Sequence, residues 1–312
     1  MKLRNTILVL ILCFTCNSFA QTATEFYQRA YSYYQEGKYK DCINLLDMAI
    51  RRDAIAETYL LKAQTYEQLQ KYDKLLESLN DGLAMYPNDP WLYNERGYYY
   101  QRIGKADPAI RDYGLAIKFA DGNDSLIDIF TLNRGTAKSS KRDFEGAYED
   151  YMFCYKYDST DISVLNNLAV VCDEVGRDDE VLKYLHKVIE VDSTAWFAYG
   201  NIGFAYQQKR DYEKSIEYFN MVLEGHPDEP FALSNRSYSK FKLGKYKDAL
   251  KDVDKSIEVL PGNAYAYRNR ALIYIETGKT KKACSDLEMA LRQGFTQRYG
   301  DEVEKLLQKY CN

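Results

Sequence analysis

The stretch from Trp196 to Pro230 reads WFAYGNIGFAYQQKRDYEKSIEYFNMVLEGHPDEP. Small and aromatic residues recur in it at spacings of three, four and seven: Tyr199, Gly203 and Tyr206 in the first half, then Tyr212, Ser215, Phe219, Val222 and Leu223. That spacing predicts two amphipathic helices. Gly203 lets a second backbone come close, Tyr206 and Phe219 fill the space between the helices, and Pro227 stops the second one. A pair this short cannot cover its own apolar face, so it needs neighbours built the same way.

The neighbours announce themselves through an asparagine ladder. Asn133, Asn167, Asn201, Asn235 and Asn269 are each 34 residues apart, and each stands two residues before a small one: Gly135, Ala169, Gly203, Ser237 and Ala271. The interval and the small-aromatic skeleton resemble the tetratricopeptide repeat family, whose unit is a helix-turn-helix. The resemblance implies an all-α fold, a right-handed α-solenoid of about eight units over 23–54, 55–88, 89–121, 128–160, 162–195, 196–229, 230–263 and 264–296. A final amphipathic helix over 299–312, with Tyr299, Val303, Leu306, Leu307 and Tyr310 on one face, is expected to cap the stack. The rhythm breaks once, where Gly97 to Gly135 is a step of 38. The four added residues fall among the turn formers Asp121 to Ser125, expected as a longer surface loop, with a hinge as the alternative.

Composition agrees with a helical chain: 312 residues, 46% hydrophobic and 28% charged, but only 6 Pro and 17 Gly. Lys2 and Arg4 precede an apolar run from Ile7 to Phe14, and Ser18, Phe19 and Ala20 follow. These read as a secretory signal peptide over 1–20, too short to span a bilayer and cleaved after Ala20. Lipidation at Cys16 is the alternative. Cleavage takes the net charge from −4 to −6, because Lys2 and Arg4 leave. An acidic surface excludes DNA and RNA as partners, since phosphates need a positive one. The remaining cysteines are Cys42, Cys154, Cys172, Cys284 and Cys311. A cap packed on the last second helix brings Cys284 to Cys311, and in an oxidising periplasm the expectation is a disulfide; two buried free thiols are the other reading. The first three read as small apolar fillers.

Chemistry is sparse. His186 and His226 are the only histidines, with no carboxylate or cysteine at metal-ligand spacing, so neither metal nor cofactor is expected. No phosphate loop, dinucleotide glycine pattern, zinc-protease helix or serine elbow occurs, and the chain reads as a non-enzyme.

If the resemblance holds, first helices line a groove that takes peptides. The groove residues would then be Tyr27, Tyr31, Tyr34, Trp91, Asn94 and Tyr98, a polar middle with Asn166 and Asp173, and then Phe197, Phe204, Tyr238, Phe241, Tyr265 and Arg268. Rigid aromatics make strong anchors, and packing between helices is the bland account of the same rings. Family members that clamp chaperone C-termini carry lysines beside such asparagines. Here Leu132, Asn166, Gly200, Ser234 and Arg268 stand at those positions, which argues against a chaperone adaptor. The expectation is a periplasmic or envelope scaffold for a peptide or protein partner; a glycan-binding accessory and an outer-membrane lipoprotein assembly factor are the alternatives. Asp124-Ser125-Leu126, Asp158-Ser159-Thr160 and Asp192-Ser193-Thr194 resemble an O-glycan acceptor of exported bacterial proteins, with Ser125, Ser159 and Ser193 as its candidates; helix capping accounts for them as well.

Overall fold

A computed structural model describes residues 22–311. The signal-peptide and Cys16 readings fall outside the described residues. Within them the chain is all helix, eighteen helices and no strand, and it divides into two compact units that meet at Phe130 and Thr131.

The first unit holds α1 (Ala23–Gln35), α2 (Tyr39–Asp53), α3 (Ala56–Gln68), α4 (Tyr72–Met85), α5 (Pro90–Arg102), α6 (Ala106–Phe119) and the start of α7 (Asp124–Ser140). Odd and even helices pack as antiparallel pairs, and α3 touches both α1 and α5, so first helices stand side by side. The second unit takes the rest of α7, then α8 (Phe144–Tyr157), α9 (Ile162–Glu174), α10 (Asp178–Val191), α11 (Trp196–Gln208) and α12 (Tyr212–Gly225). It continues with α13 (Pro230–Lys242), α14 (Tyr246–Val259), α15 (Ala264–Glu276) and α16 (Thr280–Arg292), and ends in α17 (Phe295–Tyr299) and α18 (Glu302–Tyr310). Here too α13 touches α11 and α15 as well as its own partner α14.

In three of the pairs a glycine on the first helix meets a ring on the second: Gly97 with Tyr113, Gly135 with Tyr151 and Gly203 with Phe219. A Cβ on Gly203 would lie 3.1 Å from the Phe219 ring, which is 1% exposed, so the two helices approach as closely as the sequence predicts. Tyr206 adds a second contact across the pair. It is half-buried and bridges the same two helices, its ring stacked on that of Tyr218 at 5.6 Å.

The expected long loop is helix instead. α6 ends at Phe119, and after Asp121, Gly122 and Asn123 the chain re-enters helix at Asp124. α7 runs for 17 residues, where α5 and α9 have 13. The four added residues therefore make one more turn of helix. Asn123 Oδ1 accepts from the Leu126 amide at 3.2 Å, and its carbonyl accepts from the Ile127 amide, so the polar residues that suggested a loop start the helix.

A second ladder ties the stack together. Arg96, Arg134, Arg236 and Arg270 on first helices each donate two bonds of 2.7–2.9 Å to an aspartate 16 residues on, Asp112, Asp150, Asp252 and Asp286. Three of these arginines also reach back 16 residues, to Asn80, Asn220 and Asp254 on the preceding second helix. A planar fork can satisfy both directions at once, and Arg96, Arg236 and Arg270 thereby each link three helices. α9 with α10 and α11 with α12 replace the pair by Leu168 with Tyr184 and Ile202 with Tyr218. Leu168, Tyr184 and Ile202 are at most 1% exposed and belong to one apolar cluster.

The end of the chain is capped in two pieces. Gly300, with φ +87° and ψ −170°, adopts a backbone closed to other residues and separates α17 from α18. Tyr299 consequently sits outside α18 and is 50% exposed, while Val303, Leu306 and Leu307 pack against Leu287 and Ala290. Cys284 and Cys311 are joined as a disulfide, with Cα atoms 5.7 Å apart. Cys42, Cys154 and Cys172 are free and buried.

Candidate functional site

The first helices of the second unit present large apolar side chains on one face. Val170 on α9 is 48% exposed and Phe204 on α11 38%. They flank a cavity of about 160 Å³ whose floor is Ala169, Val181 and Leu185, and whose mouth carries Asp173, Glu174 and Asn201. The floor is placed by the α9–α10 pair, where Ala169, Val181 and Leu185 belong to one buried cluster. Asp173 follows Val170 by three residues and so shares its face of the helix. Burial, then the charges of Asp178 and Glu174, push the Asp173 carboxyl above its ordinary range. On the neighbouring turn the Oδ1 of Asn166 is enclosed and has no hydrogen-bond donor.

The other residues predicted for the groove divide. In the first unit Tyr31, Trp91 and Tyr98 are exposed and Tyr27 and Tyr34 half-buried. Trp91 meets Phe130 edge-on at 5.2 Å, and Arg102 lies over Tyr98. Asn94, in contrast, is 6% exposed, held inside rather than on an open wall. In the second unit Phe197, Tyr238, Phe241 and Tyr265 are half-buried.

Arg268 departs furthest from the groove reading: it is 7% exposed. Its guanidinium is spent on Glu302 of α18, in two bonds, and on Asn269 Oδ1 at 2.9 Å. It also covers one face each of Tyr238 and Tyr265, 5.1 and 5.2 Å from the ring centres. The cap occupies the cation, and the sequence gives no sign of this because Glu302 is 34 residues away. Removing Glu302 leaves a buried charge with one neutral partner. We expect Glu302→Ala to destabilise the C-terminal hairpin by about 2 kcal/mol, below the 3–5 of a fully buried pair because Glu302 is itself 44% exposed. Arg268→Leu combined with Glu302→Ala should return most of that loss; urea unfolding of both variants checks it.

The candidate acceptor serines lie at the surface or close to it. Ser125 is in the first turn of α7, Ser159 and Ser193 in the turns before α9 and α11. Asp158 and Asp192 each accept from the amide and hydroxyl of the following Thr160 or Thr194, at 2.6–2.8 Å, which holds both carboxyls below the usual range. α9 is capped by Asp161 instead, so Ser159 takes no part. His186 lies against Tyr218 and His226 against Trp196.

Family models described as "Tetratricopeptide repeat" match residues 56–89, 198–224 and 235–294. Among curated proteins the chain is 26% identical over 205 residues to Tetratricopeptide repeat protein 16 of Macaca fascicularis, covering 54% of this chain and 23% of that protein. It is also 26% identical over 150 residues to TPR repeat-containing protein MJ1428 of Methanocaldococcus jannaschii, covering 46% and 25%. The chain thus spans about a quarter of the length of these curated relatives. Among solved structures, a tetratricopeptide repeat protein from Parabacteroides merdae superimposes with a TM-score of 0.67 at 19% identity, over 82% of this chain and 99% of that one. A chain of the APC/C hetero-tetramer Cut9-Hcn1 gives 0.58 at 14% identity, over 93% and 56%. At such identities the likeness establishes the fold. Proteins of this fold are typically non-catalytic and mediate protein–protein interactions. With helix pairs at an interval of 34, a small residue against a ring in three of them, and these matches, the chain is a repeat protein that carries tetratricopeptide repeats.

Proposed function

We propose that the chain is a non-enzymatic scaffold, exported to the periplasm or cell envelope, that holds a peptide segment of a partner protein against the first-helix face of its second unit. The observation that carries this reading is the exposure of Val170 and Phe204 on either side of a cavity with an apolar floor. Large side chains held rigidly at a water-facing position are what a partner's own apolar residues bury. Export is supported by the charged, apolar and small-residue sequence over 1–20, and by a disulfide of the sort that persists in oxidising compartments. Sugar stacking is less favoured, since Arg268 already covers one face of both Tyr238 and Tyr265.

Pull-down from an envelope fraction tests the reading. The Phe204→Ala, Tyr238→Ala double variant, at unchanged helicity, should lose the protein that the natural chain retains. Identical retained proteins with both baits would end the groove mechanism.

A further inference from the structure

Resting on that peptide-binding reading, we infer that the cavity between α9 and α11 takes the side chain of a lysine or arginine, with an aliphatic or aromatic neighbour lying on Val170 and Phe204. Size comes first. At about 160 Å³ the cavity is smaller than the roughly 300–1,000 Å³ of small-molecule sites, so it suits one long side chain. Polarity selects which. The floor of Ala169, Val181 and Leu185 is apolar and the mouth holds Asp173 and Glu174, so the fitting group is apolar along its stem and cationic at its tip.

The protein's own cations leave this mouth largely unmatched. Lys209 pairs with Asp179 at 3.0 Å, and Arg177 lies on the Tyr148 ring and reaches Glu145 and Glu180. Arg142 stands 3.8 Å from Glu174, but is 78% exposed, so water screens the pair. Among the described residues no lysine or arginine pairs with Asp173, an exposed carboxyl whose pKa is raised by partial desolvation and by Asp178 and Glu174. An incoming ammonium or guanidinium supplies the counter-charge. Asn166, on the same face of α9 as Val170, keeps an enclosed Oδ1 without a donor, which a ligand N–H satisfies once the amide turns outward.

The test uses the whole chain and random decapeptides displayed on phage. Selected peptides should be rich in Lys or Arg next to Leu, Val, Ile or Phe. The labelled peptide Gly-Ser-Leu-Lys-Val-Phe-Ser-Gly should then bind at least tenfold more tightly than its counterpart with Glu for Lys. Asp173→Asn with Glu174→Gln should weaken the Lys peptide about tenfold, and Asp173→Lys with Glu174→Lys should invert the preference. Both acids are exposed, so an unchanged melting curve verifies that these variants fold. Equal affinity for the Lys and Glu peptides, selection of acidic or neutral sequences, or indifference to the Asn/Gln variant overturns the proposal. Peptides that bind without charge preference, yet weaken with Phe204→Ala, would leave the scaffold reading intact while this one falls. Selection of no peptide at all, with the pull-down also unchanged, would remove both.

Discussion

Leu168→Arg should unfold α9 and α10, at a cost of about 4–5 kcal/mol, and adding Tyr184→Asp should recover about 2 of them. Leu168 is 0% exposed, so its loss alone costs about 2–3 kcal/mol in packing. The guanidinium that replaces it meets Tyr184 where Arg134 has Asp150, and a buried cation without that aspartate adds the rest. Yet Leu168 and Tyr184 stand 34 residues beyond Arg134 and Asp150, which are joined by bonds of 2.7 and 2.9 Å. If the hairpins are equivalent, the double variant rebuilds that bidentate pair where the sequence has removed it. Recovery will be incomplete, because Asp is smaller than the 1% exposed Tyr184 and leaves a void beside Met152. Hydrogen exchange across α9 and α10 is the measurement, since a repeat stack opens locally and a single global unfolding energy is not defined. A double variant as unprotected as Leu168→Arg alone would show that the two hairpins are not interchangeable at this position.

The sequence made the apolar half of this architecture legible and left the polar half obscure. Gly203 against Phe219 could be read directly, because a small residue and a ring at helical spacing leave a pattern in one chain segment. The arginine–aspartate ladder is just as regular, at 16 residues within a hairpin, but charges on helices ordinarily signify a solvated face. Only the pairing of first and second helix turns Arg236 and Asp252 from surface charges into a clamp. Polar turn formers misled in another way: Asn123 was legible as a loop residue and acts as a helix start, since the same side chain serves both purposes. For the candidate site, exposure was the obscure quantity. Phe204 and Arg268 both occupy first-helix positions, but α18 closes over one and leaves the other to solvent. The aromatic residues that mark a groove also pack repeats together, and sequence spacing cannot tell which rings a later helix will cover.

Breaking the Cys284–Cys311 disulfide should free α18, with a loss of about 3.5 kcal/mol from the C-terminal end in the chain-entropy model for a separation of 27 residues. Two other restraints on the cap remain. Val303 is 0% exposed against α16, and Glu302 pairs with Arg268. α18 has only nine residues, too few for a helix to persist unsupported, so it should fray when the cross-link goes. The chemistry permits a clean measurement. Burial raises the thiols of Cys42 and Cys172, the latter to about 11, so neither offers thiolate near neutral pH. Native oxidised protein should therefore show almost no reaction with a thiol reagent, and gentle reduction should release two reactive groups. In Cys311→Ser, exchange should quicken first in the amides of Val303 to Leu307, while α11 and α12 hold their protection. Arg268 then loses its carboxylate partner Glu302, so the loss extends to Tyr238 and Tyr265, the rings it covers. Exchange that quickens in α18 but leaves Tyr265 as protected as before would show that Arg268 keeps its place without the cap. Uniform loss across the second unit would show instead that the cross-link stabilises the whole stack rather than its end.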